Sequence, residues 1–417
     1  LTIKTGSGKK KIILISSGQP SLNPRLVKEA DALVENGYEV TVLYAYWNEW
    51  GTDIDKMLLP LKRWQAIRVG GDPDQKRLTY FFSRLLNKFS LLIIKKTGIK
   101  YFACFAISRG SYFLIKEAKK QKADLYIGHN LGALPALIAA AKTHNKPVGF
   151  DAEDFHRYET TNNEKNEDVI LKSFIENKYI PQVSYLSASS TQIANAYQRL
   201  FPDKVPVTLL NVFPFDENIK QPQLNNSQPI KLFWFSQVIG VNRGIEDAVK
   251  ALHYLKDSNF ELHLLGYHIS QSITFIEDLN KGAARIFYHQ PVMPDKLAGF
   301  ASQFDIGLAM EPGFSRNNDF ALSNKLFTYM QGGLAIVASD TTAQSALLEQ
   351  FPAIGATYKK GDAQSLAVVL SAYKKNRDKL QKSRVASWLL AKDNLNWKNE
   401  SKKFLTLVQE TSTKGER

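Results

Sequence analysis

Cysteine is almost missing from these 417 residues, with Cys104 standing alone. One thiol cannot close an internal disulfide or supply a cysteine metal cluster, and it fits a reducing, cytoplasmic setting. Long apolar runs are missing too, and none reaches the roughly 18 residues that a bilayer span needs. No opening stretch has the form of a secretory signal, because Lys9-Lys10-Lys11 leads straight into a strand-like run. The dinucleotide fingerprint G-x-G-x-x-G does not occur, which disfavours a dehydrogenase. With neither an RNA-recognition nor a helix-turn-helix signature, nucleic acid is not an expected partner.

The rest is ordinary globular material: 44% hydrophobic and 23% charged residues exclude wholesale disorder, and the length suits two domains. The net charge of +14 is concentrated. The stretch Lys76–Lys120 carries lysine and arginine throughout, has Glu117 as its only acid, and interleaves them with Phe81, Leu85, Phe89 and Leu92. Such a segment suits an anionic membrane surface or an anionic acceptor. Its plainer alternative is a pair of core helices with a solvated basic back.

Short apolar runs alternate with helical periodicity along the chain. Lys11–Ser17 reads as a strand, Leu26–Asn36 as a helix and Tyr38–Tyr44 as a second strand. Gly18 therefore falls in a loop at the carboxyl end of a strand, where open α/β sheets bind ligands. Asp124–Asn130 is a strand carrying His129 near its end, and Pro147–Asp151 is a strand followed by Glu153 and Asp154. Those two acids suit either the orientation of acceptor hydroxyls or the capping of the next helix. The polar, aperiodic stretch 216–229 reads as a linker. A second domain then begins with the strand Ile230–Phe235, the turn Arg243-Gly244 and the helix Ile245–Leu255. The strand Phe260–Leu265 ends at Gly266, where a backbone can approach a ligand closely. Asn317-Asn318-Asp319 reads as a flexible loop.

The most informative stretch is Asn317–Asp340, NNDFALSNKLFTYMQGGLAIVASD. Ser323 is a suitable N-cap for a helix starting at Asn324, Gly332-Gly333 stops it, and Leu334–Ala338 is a buried-type strand. Lys325 adds a full charge to the positive end of that helix, which suits a phosphate. The stretch resembles the donor-binding segment of retaining glycosyltransferases with the GT-B fold, close to NKLFEYM-x-x-G-x-P-V-x-A-S-D. Asn324, Lys325, Leu326, Phe327, Tyr329, Met330, Gly333, Val337, Ala338, Ser339 and Asp340 fit. The family's glutamate pair is replaced by Phe320 and Thr328, and Gln237 stands where an arginine is common.

That resemblance implies an α/β fold of two Rossmann-like domains facing a cleft, with a C-terminal helix crossing back to the first domain. The expected boundaries are an acceptor-side domain over 1–215, a linker over 216–229, a nucleotide-sugar domain over 230–386 and a crossover helix over 387–417. The implied activity is transfer of a hexosyl group, with retention, from a nucleotide sugar (a UDP-sugar favoured) to a glycan or lipid-linked acceptor. No metal and no other cofactor are expected, and the inner face of the membrane is the expected location. Lys325 and Arg243 would stabilise the leaving diphosphate, and His129 would touch the sugar. Gly18, Gly244, Gly266, Asp319, Ser323, Asn324 and Thr328 would surround the donor, with Glu153 and Asp154 on the acceptor side. Asp319 or Glu311 could supply a displaced carboxylate, and the Thr328 hydroxyl could reach a ribose. The missing glutamates and Gln237 leave open a binding subunit without chemistry, and a GT-B-like sugar-nucleotide epimerase is a third reading.

Overall fold

Buried apolar runs form the strands of two separate sheets. A computed structural model of the chain describes residues 9–223, 229–255, 259–282 and 284–414. The first sheet contains β1 (Lys11–Ser16), β2 (Glu39–Ala45), β3 (Gln65–Val69), β4 (Leu125–His129), β5 (Val148–Ala152), β6 (Tyr185–Ala188) and β7 (Val207–Thr208), in the order β3-β2-β1-β4-β5-β6-β7. The second contains β8 (Ile230–Ile239), β9 (Phe260–His268), β10 (Arg285–His289), β11 (Ile306–Ala309), β12 (Ala335–Ser339) and β13 (Gly355–Tyr358), in the order β10-β9-β8-β11-β12-β13. Every registered pair of neighbours is parallel. Parallel strands need crossovers, which is why helices alternate with strands and why the strands read as continuous apolar runs.

The chain divides into one unit of Leu1–Leu209 with Ser401–Arg417 and another of Leu210–Glu400. In the first, Ile12 and Leu14 of β1 pack with Leu26 and Leu33 of the helix Pro24–Glu35. Pro24 opens that helix and the Asn23 side chain accepts a hydrogen bond from Leu26 N. Phe404 and Val408, from the helix Trp397–Lys414, complete this core. In the second unit, Leu326 and Met330 pack with Phe233, Ala309 and Ile336.

Several boundaries differ from the sequence expectations. Val212 joins the second unit's core and Phe213 and Phe215 pack against it, so the division precedes residue 215. Of the expected linker over 216–229, residues 224–228 lie outside the described residues. The tail from 387 is not one crossing helix. Arg377–Asp393 ends in the second unit, where Asn396 Nδ2 donates to the Ala391 and Lys392 carbonyls that the helix end leaves open, and a new helix starts at Trp397. Asn317–Asp319 is not a loop but lies in the short helix Arg316–Phe320, capped by Ser315. β8 continues past Phe235 to Ile239 through an irregularity in its register with β9. β3 gave no clear signal because it is an edge strand with a mostly half-exposed pattern.

Candidate functional site

In the second sheet the strand order reverses between β8 and β11. The crevice beyond the carboxyl ends of two such strands is where open α/β sheets hold ligands. A pocket of about 300 Å³ opens there, lined by Phe235 and Ser236 from β8, Glu311 from the end of β11, Asn318, and Ser323, Asn324 and Lys325 at the start of the helix Asn324–Gly332. The start of that helix and Lys325 both line this space, and a helix start carries positive partial charge.

Glu311 organises this pocket. Its Oε1 accepts hydrogen bonds from Lys325 Nζ at 2.7 Å and Ser323 Oγ at 2.8 Å, and its Oε2 accepts one from Asn318 Nδ2 at 3.4 Å. Burial opposes ionisation of Glu311, but the Lys325 ammonium and the hydrogen bonds from Ser323 and Asn318 hold its carboxyl below the usual range. Lys325 Nζ also lies 5.8 Å from the centre of the Trp234 ring. Arg243 is tied to a lining residue from its own loop, donating from Nη1 to Ser236 Oγ at 2.8 Å. Gly244 holds that loop close: at φ +82°, an added Cβ would lie 2.4 Å from Met310 Cβ and from the Met310 carbonyl oxygen. One cation, a helix start and one carboxylate therefore line a space suited to a phosphorylated ligand with hydroxyl groups, with Arg243 beside it at Ser236.

The first sheet has its own reversal point, between β1 and β4. His129 ends β4 fully buried, with Nε2 3.1 Å from Glu29 Oε2 and Nδ1 3.2 Å from Glu153 Oε1. Burial disfavours the imidazolium, yet Glu29, Glu153 and Asp151 outweigh it and push the His129 pKa up to about 10. Asp151 also binds Arg25, which donates from Nη2 at 2.7 Å, and Ser187, whose hydroxyl donates at 2.6 Å. Glu153 additionally accepts from Asn23 Nδ2 at 2.5 Å. Gly18 N donates to Ser16 Oγ, and the neighbouring Gln19 accepts from Trp47 N and Asn48 N, fixing the loop. The Asp154 carbonyl accepts from the Tyr197 hydroxyl. His129, Asp151 and Glu153, and likewise Asp154, His156 and Glu159, place ligand atoms close enough for a metal. Arg25 already occupies Asp151, and Lys172 lies 2.6 Å from Glu159, so cationic side chains hold both groups.

No protein-family model matches the chain, and no curated protein matches it in sequence. Solved structures do match. Anabaena HepE in complex with UDP gives a TM-score of 0.67 at 12% identity, over 96% of this chain and 100% of that one. Sucrose-phosphate synthase from Thermosynechococcus elongatus gives 0.65 at 14% identity, over 96% and 99%. A glycosyltransferase from Rickettsia africae gives 0.63 at 15% identity, over 96% and 98%. The fold is GT-B.

Within this GT-B chain, Ser323, Asn324 and Lys325 line one pocket, and Arg243 is hydrogen-bonded to Ser236, which lines it too. Other expectations need correction. Ser323 occupies the N-cap position but makes no side-chain cap, because its hydroxyl donates to Glu311. Thr328 is buried and its hydroxyl donates to the Asn324 carbonyl one turn back, so it cannot serve a ribose in this arrangement. Asp319 is bound to Thr342 and to Lys360 Nζ at 3.0 Å and does not line the pocket. Gly266 lies inside β9, where an added Cβ would come 2.7 Å from the Ser236 carbonyl oxygen. It makes room for the irregular part of β8 and does not form a turn against a ligand. His129 is fully buried and has no exposed nitrogen to offer a sugar, while Gly18, Glu153 and Asp154 lie with it in the first unit, where the sequence puts them. The residue whose role the pattern understates is Glu311. Its position directly after the D-I-G-L-A-M run, at a strand's carboxyl end, is the signal that marks it.

Proposed function

We propose that this protein is a glycosyltransferase. It takes a hexosyl group from a nucleotide sugar, a UDP-sugar favoured, and transfers it with retention to a glycan or lipid-linked acceptor on the cytoplasmic side of a membrane. The observation that carries this reading is the convergence of Lys325, Glu311 and a helix start on the pocket at the reversal point of the second sheet, with Arg243 beside it at Ser236. The HepE structures with UDP and with UDP-glucose support the choice of donor class.

The chemistry follows from charge. Breaking the bond between the sugar's anomeric carbon and the diphosphate oxygen leaves extra negative charge on the phosphate, while the acceptor oxygen bonds to that carbon and loses its proton. Lys325, Arg243 and the N–H groups at Asn324 would be placed to receive the developing phosphate charge. Glu311 would hold Lys325 in position and offer its carboxylate edge to hydroxyls of the transferred sugar, a group that UDP itself lacks. The buried, protonated His129 would fix the end of β4 and act neither as a base nor as a direct sugar contact.

A second reading has its own support. Thr328 stands where the resembled family has a carboxylate, and it is turned into its own helix, which fits a binding subunit without chemistry. Turnover separates the two. Incubating the protein with UDP-sugars and extracted glycans or lipids, and measuring UDP release, should show activity that collapses in Lys325→Ala. Absence of release from every donor and acceptor, with nucleotide binding intact, would favour the binding subunit.

A further inference from the structure

The helix Arg77–Thr97 in the first unit is inside out. Its buried residues are Ser83, Asn87 and Ser90, whereas Leu78 (88% exposed), Phe81, Leu85 (68% exposed), Phe89 (55% exposed) and Leu92 face solvent. The exposed set recurs at helical spacing and forms one continuous apolar stripe. The cause lies in Asn87, whose Nδ2 donates at 2.8 Å to both the Phe105 and the Ala106 carbonyls, at the end of the short helix Ala103–Ala106. Those carbonyls have no partner within so short a helix. Turning Leu85 and Phe89 inward would break both bonds. The buried serines meanwhile satisfy their hydroxyls on the helix's own carbonyls, Tyr80 and Leu86.

The edge of the stripe is cationic. Arg77, Arg84, Lys88 and Lys95 repeat along one side of it, and the helix contains no acid. At its N-terminal end lies a pocket of about 460 Å³ whose lining includes Lys76, Lys116 and Lys120. A second copy of the chain would bring these cations against one another, which disfavours self-association through this face. No helix among the described residues is long and apolar enough to cross a membrane.

We propose that this stripe docks on the surface of a bilayer rich in anionic lipid. Leu78, Phe81, Leu85, Phe89 and Leu92 enter the boundary between headgroups and acyl chains, and the flanking cations meet the headgroup phosphates. The inference rests on the first unit alone and does not draw on the donor pocket.

The test is flotation of the full chain with vesicles of phosphatidylcholine and of phosphatidylcholine mixed with phosphatidylglycerol. The expected result is binding to the mixed vesicles only. Binding should fall about tenfold or more in the double variant Leu85→Glu/Phe89→Glu, and also in Arg77→Glu/Lys88→Glu. All four changes in charge or polarity fall on exposed side chains, and unchanged thermal unfolding would show that the variants fold. Equal binding to neutral vesicles, or full binding by either variant, would overturn the proposal. So would a chain that ignores both vesicles and forms a dimer which Leu85→Glu/Phe89→Glu splits, because the stripe would then belong to a second copy.

Discussion

Lys325 Nζ lies 2.7 Å from Glu311 Oε1, and both side chains are largely withdrawn from solvent. The carboxylate comes from the end of β11 and the ammonium from the first turn of a helix, so two crossover elements are fixed to each other at the pocket. A cation held in this way is preorganised, and its charge is also partly offset toward any phosphate that enters.

The first consequence concerns Glu311→Gln. The glutamine keeps the shape and an acceptor for Ser323 while removing the charge that offsets Lys325. UDP affinity should rise by about tenfold, and stability should fall by about 1–3 kcal/mol as Lys325 loses its charged partner. Calorimetric titration with UDP and a thermal melt measure the two effects. Weaker UDP binding in a folded variant would show instead that the Glu311 carboxylate contacts the nucleotide.

Gly244→Ala tests the loop that carries Arg243. A methyl group at φ +82°, 2.4 Å from Met310, must displace either the loop or the end of β11. Destabilisation of about 1–3 kcal/mol is expected, with weakened UDP binding because Arg243 shifts with the loop. Unchanged melting and unchanged affinity would mean that the loop tolerates a side chain there.

The elements carrying Lys325 and Arg243 were legible because local signals define them: a helix with a glycine stop, and a loop whose Arg-Gly pair follows a strand. What the sequence could not reveal depends on partners far along the chain. Gly266 answers to Ser236 in the neighbouring strand, and Asp319 is taken by Lys360. His129 looked like a ligand-facing residue because it ends a strand, but Glu29 from the Pro24–Glu35 helix covers it. The Arg77–Thr97 helix has a readable amphipathic pattern, while its orientation depends on two carbonyls some eighteen residues further along, at Phe105 and Ala106. The alternation of strands and helices, by contrast, is local and gave the two parallel sheets directly.

The buried charges predict a pH profile of stability. The pKa of His129 is raised to about 10 by its carboxylates, and that of His156 to about 9 by Glu159, both against burial. Their stabilising contributions are complete below about pH 6.5, the ordinary histidine value, and are lost as pH rises through about 9 and then 10. On the acid side, burial raises the Glu159 carboxyl but His156 and Lys172 bring it down to about 2, so its contribution fades as pH falls from about 4.5 toward that value. Burial lowers the pKa of the Lys28 ammonium from 10.5 to about 7, which opposes the alkaline loss above that pH, so melting temperature should plateau between about pH 4.5 and 6.5 and decline on both sides, less steeply above about pH 7. In His129→Gln the alkaline decline should shrink, and stability at about pH 6 should fall because Glu29, already raised by burial, loses the imidazolium that favours its charged form. An alkaline limb that His129→Gln leaves unchanged would contradict the charged state of His129, because the opposing Lys28 contribution is common to both proteins.

The most direct test of the donor site is calorimetric titration of the unmodified protein, Lys325→Ala and Arg243→Ala with UDP, GDP, ADP and CMP. The account predicts saturable binding of one nucleoside diphosphate, UDP first among them, lost or strongly weakened in both variants while their melting transitions persist. Binding that survives both substitutions, or no binding of any nucleotide by the unmodified protein, would contradict it.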